Sequence, residues 1–244
     1  MEYEPLRPVI DVQEAMNDDA PILHEQLVTS NNAFLRPGGL RGDDEAGKGS
    51  NIASHFMFEV GDLKKGFDEA DIIVDREFDT KPVHQGYIEP HSATAMWNRD
   101  GKITIWCSSQ GQFAMRDQSA QVLGVPVSQI KVIPMEIGGG FGGKTLVYLE
   151  PVAALLSKKT GRPVKVSMSR MEVFEGTGPT SGSYMKMKMG VTKEGRITAA
   201  EAMLAYAAGA FPGSPVNPGT QCMLAPYDIP NARVEGYDVV VNTP

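Results

Sequence analysis

The stretch GGGFGGKT, which begins at Gly138, satisfies two sequence patterns for nucleotide binding at once. Gly138, Gly143, Lys144 and Thr145 fit G-x-x-x-x-G-K-[ST], in which backbone N–H groups and the lysine surround phosphates. The dinucleotide pattern G-x-G-x-x-G is satisfied by Gly138, Gly140 and Gly143. A third interpretation is a loop whose bare backbone N–H groups approach a bulky anionic or oxo ligand, because glycine has no Cβ to obstruct it.

The residues around this loop argue against both nucleotide patterns. A nucleotide hydrolase needs a downstream strand that ends in Asp to hold magnesium, and it needs repeated βαβ units. Neither PVKVSMS nor VEGYDVVVN has such an ending. A dinucleotide fold needs an acidic residue about 20 positions beyond the glycines, where this chain has the basic stretch SKKTGRPVKV. A P-loop nucleotide hydrolase therefore remains only as an alternative.

Composition narrows the class of protein further. With 244 residues, 41% of them hydrophobic and 22% charged, the chain can bury one large core or two small ones. Its net charge of −7 provides no excess of positive charge for phosphates, so we expect neither nucleic acid nor membrane as a partner. Cys107 and Cys222 form no C-x-x-C pair, and there is no 18-residue apolar run and no leader after Met1. These features predict a cytoplasmic protein.

Several secondary-structure elements are expected before the loop. Half-buried strands are predicted at His55–Asp62 and Ala70–Phe78, where apolar and polar residues alternate. Residues 92–109 predict a hairpin that turns at Asp-Gly, and Gln112–Gly124 predicts a helix that Gly124 ends. A strand, VSQIKVIPMEI, is then expected to run straight into the loop.

The elements after the loop complete an α+β pattern. A second principal helix is predicted over Thr145–Gly161, with Pro151 kinking it or marking its regular start. Met185, Met187 and Met189 alternate with lysines, which predicts a strand whose methionine face points inward. The stretch ITAAEAMLAYAA follows a hairpin turn and is expected to be a strand despite its helical propensity. No repeating βαβ order is present, so the fold class is α+β.

The loop and its upstream sequence resemble a known family. GGGFGGK, preceded by TIWCSSQGQFAMRDQSAQVLGVPVSQIKVIPMEI, resembles the molybdenum-binding subunit of the xanthine dehydrogenase and aldehyde oxidase family. The resemblance extends from about Ile72 to the last residue and includes HQGYIEPHSATA, KTGRPVKVSMSR and AGAFPGSP. Residues 1–50 resemble the end of a preceding hammerhead-like domain with its connector. Residues 51–244 resemble the first part of the molybdopterin-binding domain, with mixed strands and two principal helices.

This resemblance implies an activity and its cofactors. It implies a molybdenum–molybdopterin cofactor, alone or as its dinucleotide form, and oxidation of an aldehyde, aromatic or N-heterocyclic substrate with water-derived oxygen. Electrons are expected to leave through 2Fe-2S clusters to FAD on partner subunits or domains. The second cofactor-binding motif and the general-base glutamate are expected downstream of this chain. The chain alone should therefore carry half of a cofactor site and be inactive, or be a non-catalytic module of a fragmented gene.

The resemblance also assigns residues. The cofactor contacts fall on Gln110, Gly139, Gly140, Phe141 and Gly142, with no residue directly on the metal. An amide donor and a bare peptide N–H can both hydrogen-bond an oxo group, as an oxyanion hole does. From the residues alone, Gln110 could instead cap the helix that follows it, and Phe141 could be a core plug under a turn.

Two further sets of residues bear on the chemistry. His84, Glu89 and His91 have the types of a metal site, but alternation on an extended chain puts His84 on the opposite face, so we favour a structural role. Thr145 and Thr180 are assigned to the substrate pocket. The purine-oxidising members of the family have Glu at the place of Thr145 and Arg near that of Thr180, which predicts a substrate other than xanthine.

Overall fold

The computed structural model describes residues 2–34 and 49–244, and the chain forms two compact units. Residues 83–180 form the second unit, and the first contains the residues before and after it. Residues 35–48 of the predicted connector lie outside the described residues. The predicted domain division at residue 50 stays a prediction.

Six α-helices and ten strands are present in the described residues, with one short 3-10 helix at Val127–Gln129. In chain order they are α1 (Val12–Ala15), β1 (Ser30–Phe34), β2 (Ile52–Val60), α2 (Leu63–Asp68), β3 (Ile72–Thr80), β4 (Ser92–Trp97), β5 (Ile103–Cys107), α3 (Gln112–Leu123), β6 (Ile130–Pro134), α4 (Glu150–Thr160), β7 (Val164–Ser167), α5 (Arg170–Gly176), β8 (Ser183–Val191), β9 (Ile197–Gly209), α6 (Val216–Cys222) and β10 (Ala232–Val240). Within the described residues no helix is both long enough and apolar enough to cross a membrane.

The first unit contains a six-stranded mixed sheet in the order β1-β2-β10-β9-β8-β3. Neighbouring residues of β9 point to opposite faces, so the sheet has a core on each face. On one face Leu204 packs with Val216 of α6 and with Val234. On the other, Ala205 packs with a cluster that includes Val9 and residues of α1. Part of the segment predicted as a connector thus contributes to a hydrophobic core.

Two strands of this sheet are more exposed than the sequence predicts. The expectation that β3 is half-buried is wrong, because all nine of its residues are exposed. β3 pairs only with β8, so it is an edge strand. The methionine face of β8 is only partly buried, since Met187 and Met189 line an open groove of about 250 Å³ with residues of β3. Alternation placed the apolar residues on one face, but it did not determine what covers that face.

The strand prediction for ITAAEAMLAYAA is confirmed. These residues lie in β9, which pairs antiparallel with β8 and parallel with β10. Pairing on both sides satisfies the backbone of β9, and its alanines fit beneath the packed helices. Tertiary pairing therefore overrides the helical propensity of this stretch, and the α+β class is confirmed.

The second unit contains a four-stranded sheet in the order β6-β5-β4-β7, with the two longest helices, α3 and α4, packed against it. Alternate residues of β5 are buried and form a core with Met115 of α3 and Ala153 of α4. The predicted hairpin is β4 and β5, and its turn contains Gly101 at φ +84°. Gly124 ends α3 at φ +64° and Gly161 ends α4 at φ +65°, as a left-handed cap requires.

Candidate functional site

The glycine loop, residues 138–145, lies in the second unit between β6 and α4. The expectation that β6 runs straight into the loop is wrong, because the strand ends at Pro134. α4 begins only at Glu150, with Pro151 in its first turn, so the alternative that Pro151 marks the regular start is confirmed. In a phosphate-binding loop the helix N-terminus directly follows the glycines and favours the anion. That arrangement is absent from this loop.

Gln110 holds the loop through its side-chain oxygen. Its Oε1 accepts hydrogen bonds from the backbone N–H of Gly142 at 2.9 Å and of Lys144 at 3.1 Å. Because both partners are donors, the amide orientation is determined, and Nε2 has no hydrogen-bond partner among the described residues. The N-cap of α3 is Gly111, with no side-chain cap, so the alternative that Gln110 caps the helix is wrong.

Three glycines of the loop are required by the protein's own side chains. A Cβ at Gly138 would lie 2.6 Å from Cβ of Glu89, and one at Gly143 would lie 2.6 Å from Cε1 of Tyr87. A Cβ at Gly140 would overlap the carboxamide of Gln110. A Cβ at Gly142 would meet nothing within 4 Å, and there glycine is favoured by a φ of +89°. The closest approaches to the loop are thus made by side chains packed against it.

Consecutive backbone donors of the loop have no partner within the described residues. The N–H groups of Gly139, Gly140 and Phe141 appear in none of the loop's hydrogen bonds, whereas those of Gly142 and Gly143 are satisfied. Phe141 has a φ of +49°, the only positive value of a non-glycine residue in the described part of the chain. Its side chain is 73% exposed, so the core-plug alternative is wrong. A row of free N–H groups in such a conformation suits an anion or an oxo group.

Lys144 points into the protein. Its side chain is only 1% exposed, and Nζ lies 2.6 Å from Oε2 of Glu89 and 3.4 Å from Oγ of Ser108. It also lies 5.1 Å from the centre of the Tyr87 ring. A lysine of a phosphate-binding loop must reach the phosphates, and an inward, ion-paired ammonium group does not.

Glu89 contacts the loop at two points. Besides the Lys144 ammonium, its Oε2 accepts a hydrogen bond from the backbone N–H of Gly138 at 2.7 Å. Burial of the carboxyl opposes ionisation, but the hydrogen bonds from Lys144 and Gly138 outweigh that cost, so the pKa of Glu89 lies below its usual value. Sequence reasoning missed this pair, because the two residues are 55 positions apart and no local pattern joins them.

The histidines of HQGYIEPH belong to a hydrogen-bond network. Tyr87 Oη lies 2.7 Å from Nε2 of His91 and 3.1 Å from Oγ1 of Thr177, and Nε2 of His84 lies 2.9 Å from the same Oγ1. The expectation that His84 lies away from His91 is wrong, because this segment is not a regular strand. No metal-binding cluster of three or more His, Cys, Asp or Glu is present among the described residues. Burial, with the nearby Lys144 cation, lowers the pKa of His91 to about 4, so its ring is neutral at pH 7.

The two threonines assigned to the substrate pocket have occupied hydroxyl groups. Oγ1 of Thr145 donates to the carbonyl of Gly142 at 3.0 Å. Oγ1 of Thr180 donates to the carbonyl of Val83 at 2.8 Å. Neither side chain presents a charge. Their assignment to a pocket stays a prediction.

Comparisons with known proteins agree on one family. Residues 45–244 match the family described as "Molybdopterin cofactor-binding domain". The nicotinate dehydrogenase large molybdopterin subunit of Eubacterium barkeri is 29% identical over 247 residues, which cover 100% of this chain and 53% of that subunit. The probable hypoxanthine oxidase of Escherichia coli (strain K12) is 32% identical over 215 residues, 82% of this chain and 22% of that protein.

The fold agrees with this match. The aldehyde oxidoreductase from Desulfovibrio gigas superposes with a TM-score of 0.74 and 24% identity, over 98% of this chain and 24% of that chain. The present chain therefore spans about half, or less, of the length of these relatives.

Proposed function

This chain belongs to the molybdopterin cofactor-binding domain family, and from that premise we propose that it contributes half of the cofactor site in the catalytic subunit of a molybdenum hydroxylase. The observation that carries the proposal is the donor set of the glycine loop. It consists of Nε2 of Gln110 and the free N–H groups of Gly139, Gly140 and Phe141. All are neutral donors, and each suits an oxygen or another electron-rich atom of a bound pterin cofactor.

The residues present fit such a group. The molybdenum–molybdopterin cofactor, when bound, would supply the oxidation of a C–H bond with water-derived oxygen. The chain's own part is to bind and orient it: Gln110 Nε2 and the loop N–H groups would donate to it. Because Oε1 of Gln110 is already held by Gly142 and Lys144, its Nε2 is oriented before any ligand arrives. Preorganised donors stabilise developing charge without reorganisation during the reaction.

The P-loop hydrolase alternative is not favoured by any contact of the loop. Lys144 is buried against Glu89, and no helix follows the glycines directly. The row of N–H groups alone suits any anion. The inward lysine is what separates an oxo-ligand site from a polyphosphate site, since a triphosphate needs a cation for its charge.

For the substrate, we propose an aldehyde, an aromatic compound or an N-heterocyclic compound rather than xanthine. Thr145 and Thr180 are uncharged, and their hydroxyl groups already donate to backbone carbonyls. A site that pairs the polar atoms of a purine ring needs charged or free partners at such positions. The similarity to a relative named as a nicotinate dehydrogenase supports an N-heterocyclic acid as substrate. Because another relative is named as a probable hypoxanthine oxidase, a purine is the competing substrate that the assay must include.

The partners proposed for this chain follow from its share of the relatives' length. It spans 53% of one relative and 22% of another, so we place the second cofactor motif and the general-base glutamate in the remaining part of the molybdenum subunit. Iron–sulfur clusters and FAD would lie on partner subunits or domains. The isolated chain would then provide only half of the cofactor-binding site and would show no hydroxylase activity. Turnover of an aldehyde or N-heterocycle by the purified chain with molybdopterin would contradict this.

Metal analysis of the native complex tests the proposed function. Molybdenum at about one atom per complete subunit supports it. Absence of molybdenum together with tight ATP binding would support the nucleotide hydrolase. A complex that binds neither would indicate a non-catalytic module.

A further inference from the structure

The carboxylate of Glu89 joins the two ends of the glycine loop. Oε2 accepts from the N–H of Gly138, where the loop begins, and from Nζ of Lys144, near its end. We propose that Glu89 and Lys144 are positioning residues that hold the loop in the conformation that presents its free N–H groups. The identity of the ligand presented to them rests on the function proposed above.

Glycine itself gives the loop no reason to keep this conformation. Gly139 and Gly142 have φ values of +99° and +89°. Glycine adopts positive and negative φ values about equally readily, and ordering it costs more backbone entropy than ordering any other residue. Phe141 adopts a φ of +49° that a residue with a side chain rarely adopts. Within the loop, Gly143 N–H donates to the carbonyl of Gly140 and Thr145 Oγ1 to that of Gly142, and contacts from outside the loop add to this selection.

Two side chains provide those contacts, and they act at different points. Gln110 accepts from the N–H groups of Gly142 and Lys144, and Glu89 accepts from Gly138 and from the Lys144 side chain. Lys144 is held by both. The three N–H groups left free, those of residues 139–141, lie between the points that are held.

The buried lysine makes the Glu89 contact charge-dependent. An ammonium group that is 1% exposed is stable only with a partner, because an unpaired buried charge is strongly unfavourable. Glu89 is its only carboxylate partner within the described residues, and Ser108 and the Tyr87 ring add weaker contacts. Neutralising Glu89 should thus weaken the contacts at both ends of the loop together, while the bonds of Gln110 to Lys144 remain.

The test uses the complete molybdenum subunit with its partners and the substitution Glu89→Gln, which keeps the side chain's size and an acceptor oxygen but removes its charge. Glu136→Gln is the matched control, since Glu136 is an exposed carboxylate just before the loop. We expect Glu89→Gln to raise hydrogen exchange about tenfold or more at the bonded N–H groups of Gly138 and residues 142–144, as loss of a charge-assisted hydrogen bond implies. Molybdenum content should fall, and kcat per bound molybdenum should fall more than KM changes. Glu136→Gln should match the wild type in loop hydrogen exchange, in molybdenum content and in kcat per bound molybdenum.

A double variant separates positioning from general stability. Glu89→Gln with Lys144→Met removes both charges, so the melting temperature should recover relative to Glu89→Gln alone. Loop exchange should stay high and molybdenum content low, because residue 144 no longer pairs with the side chain that accepts from Gly138. Recovery of both in the double variant would overturn the proposal, as would wild-type exchange in Glu89→Gln. A wild-type complex without molybdenum would refute the proposed function instead, and loop exchange would still decide the role of Glu89.

Discussion

Replacing Gln110 by alanine in the assembled enzyme should lower kcat by about 10²–10³ with molybdenum still bound. The substitution removes Nε2 as a donor, and deleting one such donor costs about 2.7–4 kcal/mol of transition-state stabilisation. It also removes the two hydrogen bonds from Gly142 and Lys144. Each is worth about 0.5–1.5 kcal/mol, at the lower end because the Gln110 side chain is exposed. The free-energy cost of losing these two loop contacts should therefore be smaller than the cost of losing the Nε2 donor.

A second substitution separates the two contributions. Gln110→Glu keeps an acceptor for both loop N–H groups and replaces the donor by a charged oxygen, so it should retain loop order and still lose activity. Gln121→Ala, at an exposed position of α3, is the control for removing a glutamine side chain from this unit. The assay is steady-state turnover, with kcat divided by the molybdenum content of each preparation.

The reasoning about Gln110 fails under two results. A wild-type kcat in Gln110→Ala would show that Nε2 does not donate a hydrogen bond to an atom that gains negative charge in the transition state. Full activity in Gln110→Glu with loss in Gln110→Ala would show that the residue only orders the loop. Unequal molybdenum content between variants is corrected by the normalisation and so does not mimic either result.

Four further predictions test other parts of the structure. Gly140→Ala should lower both the melting temperature and the molybdenum content, because its methyl group would overlap the neighbouring carboxamide; unchanged values would show that the loop can shift at no cost. Calorimetry of the pure complex should show no micromolar ATP affinity, and ATP binding that is lost in Lys144→Ala would revive the phosphate-binding interpretation. With Thr145 in place of a charged residue, kcat/KM for xanthine should lie below that for at least one aldehyde or heterocyclic acid, and the reverse order would refute the substrate proposal. A thiol reagent at about pH 8 should label exposed Cys222 and spare Cys107, whose pKa burial raises to about 12; rapid labelling of both in the folded protein would contradict this.

Much of the second unit could be predicted from sequence because its signals are local. Asp-Gly placed the hairpin turn, Gly124 and Gly161 placed the helix ends, and Pro151 marked the first turn of α4. Each depends on the conformations that one or two residues permit. The family was likewise indicated by a contiguous motif, and the match over residues 45–244 confirms it.

The exposed strands of the first unit show where local signals end. Alternation correctly predicted strands at β3 and β8, but the methionine face of β8, which was expected to point inward, is only partly buried. It could not predict that β3 lies at a sheet edge with all its residues exposed. Period two assigns residues to opposite faces, but strand order and the covering elements decide which face is buried.

The sequence by itself determined the class of fold, the family and the position of the loop, since these depend on residue types and short spacings. Tertiary structure alone decided what each side chain does there. Lys144 has the position of a phosphate ligand in the pattern, yet it points inward to Glu89, and Gln110 turns its oxygen to the loop. A side chain's partner is set by residues that are distant in sequence and close in space, and the burial and charge of those partners determine whether a lysine binds a ligand or supports the loop that does.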